Sequence, residues 1–423
     1  MKASLIVYNI GTLLTPKNVG NPLKGTSMND VIQLENAYIA IKDDKIIEVG
    51  IGDFDRYKNH DTILFDADGK LVTPGLIDAH THIVHAGSRE YEFEKKMRGV
   101  PYLDILKEGG GIHSTVKATQ QASEEALYQQ AYKSLNTMLL NGVTTVEGKS
   151  GYGLEEATEI KQLTVQKKLN EDHPIDIVGT FMGAHAIPKL YEDNREAFIQ
   201  LVKDMLPKVK KEGLAEFVDV FCEDGAFTKE ESENLLKEAI TQGFKVKIHA
   251  DEIKALGGVK LACDLGATSA DHLMAINEEG LVALSSSHTI ATILPSTSFY
   301  LNSQYAPVRE MINRNIAIAL ASDYNPGSSP SENFLFTLNL AAIHLKMSPF
   351  EILTAATINA AFAAGRESDR GIISKGYAAD LVIYDAPNWP YVLYHFATSH
   401  VLHVFKAGKL VVKDKQLYKE ETQ

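Results

Sequence analysis

The sequence predicts an α/β protein: an eight-stranded parallel β/α barrel carrying a small all-β unit built from both chain ends. Three observations lead there. Both termini have the texture of short strands, helix and strand alternate between about residues 74 and 365, and that middle region holds eight strand candidates. The expected boundaries are residues 74–365 for the barrel and residues 1–73 plus 366–423 for the discontinuous β unit.

At the N-terminal end, residues 5–14 and 38–49 are β-rich, and Asp43-Asp44 marks a hairpin turn in the second stretch. Residues 62–65 and 70–73 follow, split by the turn Ala67-Asp68-Gly69. The same texture returns at residues 379–384, 400–406 and 409–412, the last two flanking Gly408. Between the ends, Ser123-Glu124-Glu125 reads as a helix N-cap with an acidic first turn. Leu127, Ala131, Leu135, Met138 and Leu139 form its apolar stripe, and Asn141-Gly142 closes it. A second helix opens on the capping box Thr228-x-x-Glu231, carries Leu235, Leu236, Ala239 and Ile240, and stops at Gly243.

The barrel strand candidates end near His82, Glu147, His185, Glu223, His249, His272, Pro295 and Asp323. In residues 244–249, apolar side chains alternate with Lys245, Lys247 and His249; in residues 316–323, bulky ones alternate with three alanines and then Asp323. Such a strand packs one face under helices and points the other into the barrel, finishing with a polar residue at the C-terminal mouth where barrel active sites lie.

Bulk properties narrow the class. In 423 residues, 44% hydrophobic and 23% charged content are those of an ordinary soluble protein. A net charge of −13 argues against a nucleic acid or an anionic membrane surface as partner. The two cysteines, Cys222 and Cys263, give no disulfide framework and fit a reducing compartment. No apolar run is long enough to span a bilayer, and Met1 to Asn9 is too polar for a signal peptide, so the cytoplasm is expected.

The stretch with the most chemistry is Val72-Thr73-Pro74-Gly75-Leu76-Ile77-Asp78-Ala79-His80-Thr81-His82. On a strand, His80 and His82 share one face, so a single strand can offer two imidazoles to one metal ion. A chance pair on a solvated edge would look the same in isolation. His185, His249, His272 and Asp323, however, fall at the same end of other strand candidates. Imidazoles with a carboxylate form a nitrogen/oxygen site suited to Zn²⁺ or Fe²⁺.

With these residues in hand, the chain resembles the metal-dependent amidohydrolases over nearly its whole length, from the Pro-Gly-x-Ile-Asp-x-His-x-His opening to the terminal Ala378-Ala379-Asp380-Leu381-Val382 segment. The resemblance implies a distorted (β/α)8 barrel of the TIM type with a β-sandwich from both chain ends. Further motifs narrow it: Ala86-Gly87-Ser88-Arg89, Gly109-Gly110-Gly111-Ile112, Lys149-Ser150-Gly151-Tyr152-Gly153, Gly183-Ala184-His185, His249-Ala250-Asp251-Glu252 and Asp323-Tyr324-Asn325-Pro326-Gly327-Ser328. As a set they are similar to the imidazolonepropionase family of histidine degradation. The glycine run is not a phosphate loop, because no Gly-Lys-Ser/Thr follows it.

The resemblance implies metal ligands at His80, His82, His249 and Asp323. Many dinuclear members of the superfamily carry a bridging lysine at the end of strand four; residues 218–223 offer none, so one divalent ion is expected. The implied reaction adds water to the ring amide carbon of 4-imidazolone-5-propanoate and opens it to N-formimidoyl-L-glutamate. Glu252, three residues past His249, is assigned general base and then general acid. The resemblance makes His272 a non-ligand that polarises the water or the substrate carbonyl. Asp323 is either a pure ligand or also a proton holder.

Arg89 suits the substrate's propionate, because its planar fork binds two carboxylate oxygens at once; an ion pair with Glu90 or Glu92 is the plainer alternative. Tyr152, in a flexible Gly-Tyr-Gly setting, is expected to cover the ring, and His185 to touch substrate. Asn325, Gly327 and Ser328 are expected to offer backbone N–H groups. A small-molecule substrate and a homodimer complete the expectation. The rivals are a deaminase of a purine or pyrimidine-like ring, which would share the metal and the His-x-x-Glu, and a catalytically dead barrel serving as a scaffold.

Overall fold

The computed structural model of the chain describes residues 1–100 and 110–419. Strands β1 (Leu5–Pro16), β2 (Val31–Lys42), β3 (Lys45–Ile51), β4 (Ile63–Asp66) and β5 (Leu71–Pro74) form the N-terminal part of one sheet. Asp43, with a φ of 55°, turns the β2–β3 hairpin. The β2 strand begins seven residues earlier than expected, because its first half pairs with the second half of β1.

The middle of the chain supplies eight parallel strands: β6 (Leu76–Thr81), β7 (Val143–Lys149), β8 (Asp176–Ala184), β9 (Phe217–Cys222), β10 (Lys245–Ala250), β11 (Ser269–His272), β12 (Ile290–Ile293) and β13 (Ile318–Leu320). They pair in chain order from β6 to β13, with helices between successive strands. Both expected helices are present and capped as expected. Ser123 accepts from the Ala126 amide, and Thr228 and Glu231 close a reciprocal capping box.

The two edges of this sheet meet near the functional residues. The Asp323 amide donates to the His80 carbonyl at 3.0 Å and the His82 amide to the Tyr324 carbonyl at 2.8 Å. Deeper in the barrel, Asp78 accepts from the Ser322 amide at 2.9 Å and from its hydroxyl at 2.5 Å. The barrel is nearly closed, with β6 and the segment after β13 as its seam.

The terminal sheet is completed by β14 (Leu381–Tyr384), β15 (Val401–Lys406), β16 (Lys409–Lys413) and β17 (Gln416–Leu417). Its nine described strands are mostly antiparallel, in the path β17-β16-β15-β14-β5-β1-β2-β3, with β4 parallel to β1. Strand β5 pairs with β14 and passes through Gly75 directly into β6. A Cβ at Gly75 would lie 2.2 Å from the Thr144 hydroxyl, so only glycine lets the chain cross from sheet to barrel here. No helix among the described residues is long and apolar enough to cross a membrane.

Candidate active site

Histidines on three barrel elements converge at the C-terminal end of the strands. Ligand-capable atoms of His80, His82 and His249 lie within 4.8 Å of one another, and so do those of His80, His272 and Asp323. Asp323 Oδ1 is 3.4 Å from His80 Nε2 and 3.8 Å from His82 Nε2. All five side chains are buried.

Two of them reach the cluster through unusual backbone. Along β11, alternation sends Asp271 into the barrel and would send His272 outward. His272 adopts a φ of 79° at the strand end, and that left-handed turn brings its ring to 5.1 Å from His249. Asp323 has a φ of 56°. Non-glycine residues rarely adopt this region, and its cost of roughly 1–3 kcal/mol is borne where surrounding contacts enforce it. Around Asp323 the hydroxyls of Thr297 and Ser328 supply them, donating to Oδ2 at 2.6 and 3.2 Å.

The electrostatics favour neutral imidazoles. Burial holds His80, His82 and His272 well below the usual histidine range, reinforced by Lys149 at His80, His185 at His82 and His249 at His272. Asp271 Oδ2 lies 2.7 Å from His80 Nδ1, which places a proton on Nδ1 and a lone pair on Nε2. His80 Nε2 and both ring nitrogens of His249 are buried without a hydrogen-bond partner. Orphaned acceptors beside a carboxylate fit a divalent cation, whose ligands are deprotonated imidazole nitrogens and carboxylate oxygens.

Above the cluster opens a cavity lined by Arg89, Tyr152, His185, Phe221, Glu252 and Tyr300. The His185 ring stacks on His82 at 4.9 Å, and Tyr152 lies 5.3 Å from His185. Glu252 reaches to 3.8 Å from His272 Nδ1. Burial, with Asp323 and Glu223 adding to it, pushes its carboxyl up to about 8. A carboxyl tuned near neutrality is suited to taking and returning a proton.

Comparison with known proteins agrees with this geometry. The amidohydrolase family profile matches residues 71–411. An imidazolonepropionase of Fusobacterium nucleatum is 52% identical over 98% of this chain and its own full length. One of Streptococcus sanguinis is 49% identical over 97% of this chain and 99% of its own. The chain belongs to the amidohydrolase family, among the imidazolonepropionases. Among solved structures, a mutant of an atrazine chlorohydrolase of Arthrobacter aurescens complexed with zinc and atraton superposes with a TM-score of 0.73 over 98% of this chain and 96% of its own; at 16% identity it speaks for the fold. Family membership and the His/Asp clusters together point to a divalent metal.

Among the imidazolonepropionase motifs, three expectations need revising. The Gly-Tyr-Gly segment is pinned: the amides of Gly151, Gly153 and Leu154 donate to the buried Glu159 carboxylate, and that of Tyr152 to Gln162 Oε1. The Gly327 and Ser328 amides already donate to Asn325 Oδ1, at 2.7 and 2.8 Å, so this turn is closed on itself. Asn325 and Ser328 thereby support Asp323. Arg89 makes the ion pair of the plainer alternative, Glu92 Oε2 accepting from its Nε and Nη2 at 3.0 and 2.7 Å, and it also lines the cavity. Gly109 of the glycine run lies outside the described residues.

Sequence reasoning turned Lys247 into the barrel but gave no role to the charges below the rings. Glu147 and Lys149 on β7, Asp219 on β9, Lys247 on β10 and Asp271 on β11 are all fully buried. Burial opposes ionisation of Asp219 and Asp271, yet both carboxyls are held below the usual range, Asp219 by His249 and Lys149 and Asp271 by Lys149 and Lys247. The available signal was parity: Glu147 and Lys149, like Lys247 and His249, are two apart on one strand and so share a face.

Proposed function

We propose that this chain hydrolyses the ring amide of 4-imidazolone-5-propanoate to N-formimidoyl-L-glutamate, in histidine degradation. What carries the reading is the convergence of His80, His82, His249 and Asp323 under a cavity that also holds Arg89 and Glu252. Relatives of about half identical sequence over the full chain carry the matching name.

In this reading His80, His82, His249 and Asp323 hold one divalent ion, zinc or iron, since both accept this donor set. Such an ion lowers the pKa of a water it holds to about 7 and polarises a carbonyl. The single ion is supported by Lys149, whose ammonium lies among the carboxylates of Glu147, Asp219 and Asp271, where a second cation would otherwise bind. Arg89, its plane fixed by Glu92, holds the propionate. Tyr152 and His185 bound the ring. His272, which lines the same cavity, polarises the water or the substrate carbonyl. Glu252 takes a proton from the attacking water and returns it to the ring nitrogen as the C–N bond breaks. Asn325, Gly327 and Ser328 form the turn that fixes the substrate side of Asp323. Two cysteines without a disulfide suit the cytoplasm, and a homodimer is the assembly we assign.

The Glu252→Gln variant tests the proton relay. It is expected to keep its metal while turnover falls on the order of 10²–10⁴-fold, the usual contribution of a positioned acid/base. Turnover within tenfold of the parent, read by steady-state kinetics on metal-replete protein, would remove Glu252 from the chemistry.

A further inference from the structure

The interior of a β/α barrel is ordinarily filled by layers of branched apolar side chains. Beneath the histidine cluster of this barrel the layer is charged instead, with Glu147, Lys149, Asp219, Lys247 and Asp271 shielded from solvent. Lys149 Nζ is 2.7 Å from Asp219 Oδ2, 2.9 Å from Glu147 Oε1 and 3.3 Å from Asp271 Oδ2. Lys247 Nζ is 2.7 Å from Glu147 Oε2.

The oxygens that meet Lys149 are the ones that face the rings. Asp271 Oδ2 is 2.7 Å from His80 Nδ1, and Asp219 Oδ2 is 3.0 Å from His249 Nδ1. One ammonium is thus linked, through one atom of each carboxylate, to imidazoles on two strands, β6 and β10, that are not neighbours in the barrel. The hydrogen bond to Asp271 fixes the orientation and tautomer of the His80 ring, leaving its lone pair on Nε2, while Asp219 stands against His249 Nδ1 as a close negative charge without hydrogen-bond geometry. Donor atoms of Asp219, His249 and Asp271 fall within 4.8 Å of one another. Two anions that close, away from water, repel unless a cation stands between them. Charge balance alone would be met by any cation in this layer. The placement of Lys149 between these two carboxylates, with Lys247 left to Glu147, is what directs it to the rings.

We propose that Lys149 is a positioning residue of the metal site, its ammonium holding Asp219 and Asp271 so that His80 and His249 present Nε2 together to a divalent cation. This rests on the reading of those two histidines as metal ligands. A lysine with only a structural role would lower the melting temperature of the metal-free protein and leave the zinc affinity of the folded fraction unchanged.

The test is zinc affinity, measured by competition with a chromogenic chelator on metal-free parent, Lys149→Met/Glu147→Gln and Asp271→Asn proteins. The double variant removes one charge of each sign and keeps the net charge of the layer. Both variants are expected to bind zinc roughly 10–100-fold more weakly, as when groups supporting metal ligands are lost. Combining all three changes should weaken binding little further, because the lysine acts through the carboxylate. A folded double variant with zinc affinity within threefold of the parent overturns the proposal. If the double variant does not fold, the isosteric Asp271→Asn decides: parental affinity overturns the proposal, and weakened affinity upholds it. A parent that binds no divalent metal overturns the metal reading itself, so the two failures are told apart.

Discussion

At the scale of single residues, the site is a set of side chains whose freedom has been removed by neighbours. Arg89 is the clearest case. Glu92 fixes its guanidinium plane, and a Cβ on Gly327 would come within 2.2 Å of its Nη1, so the group fits against a glycine. Arg89→Met should therefore raise KM on the order of a hundredfold, the worth of charge-assisted hydrogen bonds to a carboxylate, with kcat falling less than tenfold. Unchanged KM in steady-state assays would move the propionate to another group. His80, His82 and His249 could be read from the sequence because strand alternation alone puts them on one face. His272 could not be placed that way: by alternation it belongs outside the barrel, and its inward aim depends on a positive φ that tertiary contacts impose. The charges beneath were equally hidden. A buried lysine is improbable from sequence until its three carboxylates, one on its own strand and two on other strands, are seen around it.

At the scale of elements, local chemistry announced most of the fold. The Ser123 cap, the Thr228–Glu231 box and the Asp43 turn are short-range signals, and each marks an element where expected. The mistaken flexibility of the Gly-Tyr-Gly loop has its cause just past the loop, because Glu159 and Gln162 fold back on it from the helix that follows. That helix, Glu156–Asp172, ends at a buried histidine. His173 Nδ1 accepts from the Ile175 amide at 3.0 Å, and its Nε2 lies 3.2 Å from Asn136 Oδ1, an arrangement that needs the neutral ring. Burial, with Lys419 adding to it, pushes its pKa down to about 4. The unfolded chain takes up a proton near pH 6.5 while the folded one does not, so stability is complete above that pH and declines as pH falls toward 4. Between pH 7.5 and 5, urea unfolding of the parent should lose about 2 kcal/mol more than that of His173→Gln. Parallel pH dependences would show that this junction does not titrate.

At the scale of the molecule, the terminal sheet and the barrel are joined by buried charge as well as by the β5–β6 crossing. Lys406 Nζ is 2.6 Å from Asp380 Oδ2 and 2.7 Å from Asp176 Oδ2 at the start of β8, and Arg370 reaches the same two carboxylates at 3.1 and 3.0 Å. Removing one partner of such a group strands a buried charge, so Lys406→Met should cost roughly 3 kcal/mol of stability. It should lower Tm in calorimetry and leave kcat/KM at 25 °C unchanged, because Asp176 lies at the strand end opposite the cavity. A Tm equal to the parent's would mean that Arg370 alone holds the junction. All of these elements serve one centre, and its chemistry has a direct readout. Metal-replete protein is incubated with 4-imidazolone-5-propanoate and the product weighed by mass spectrometry. The account predicts the gain of one water with no ammonia released. An intact substrate in the presence of bound metal, or release of ammonia from an amino-heterocycle in its place, would contradict it.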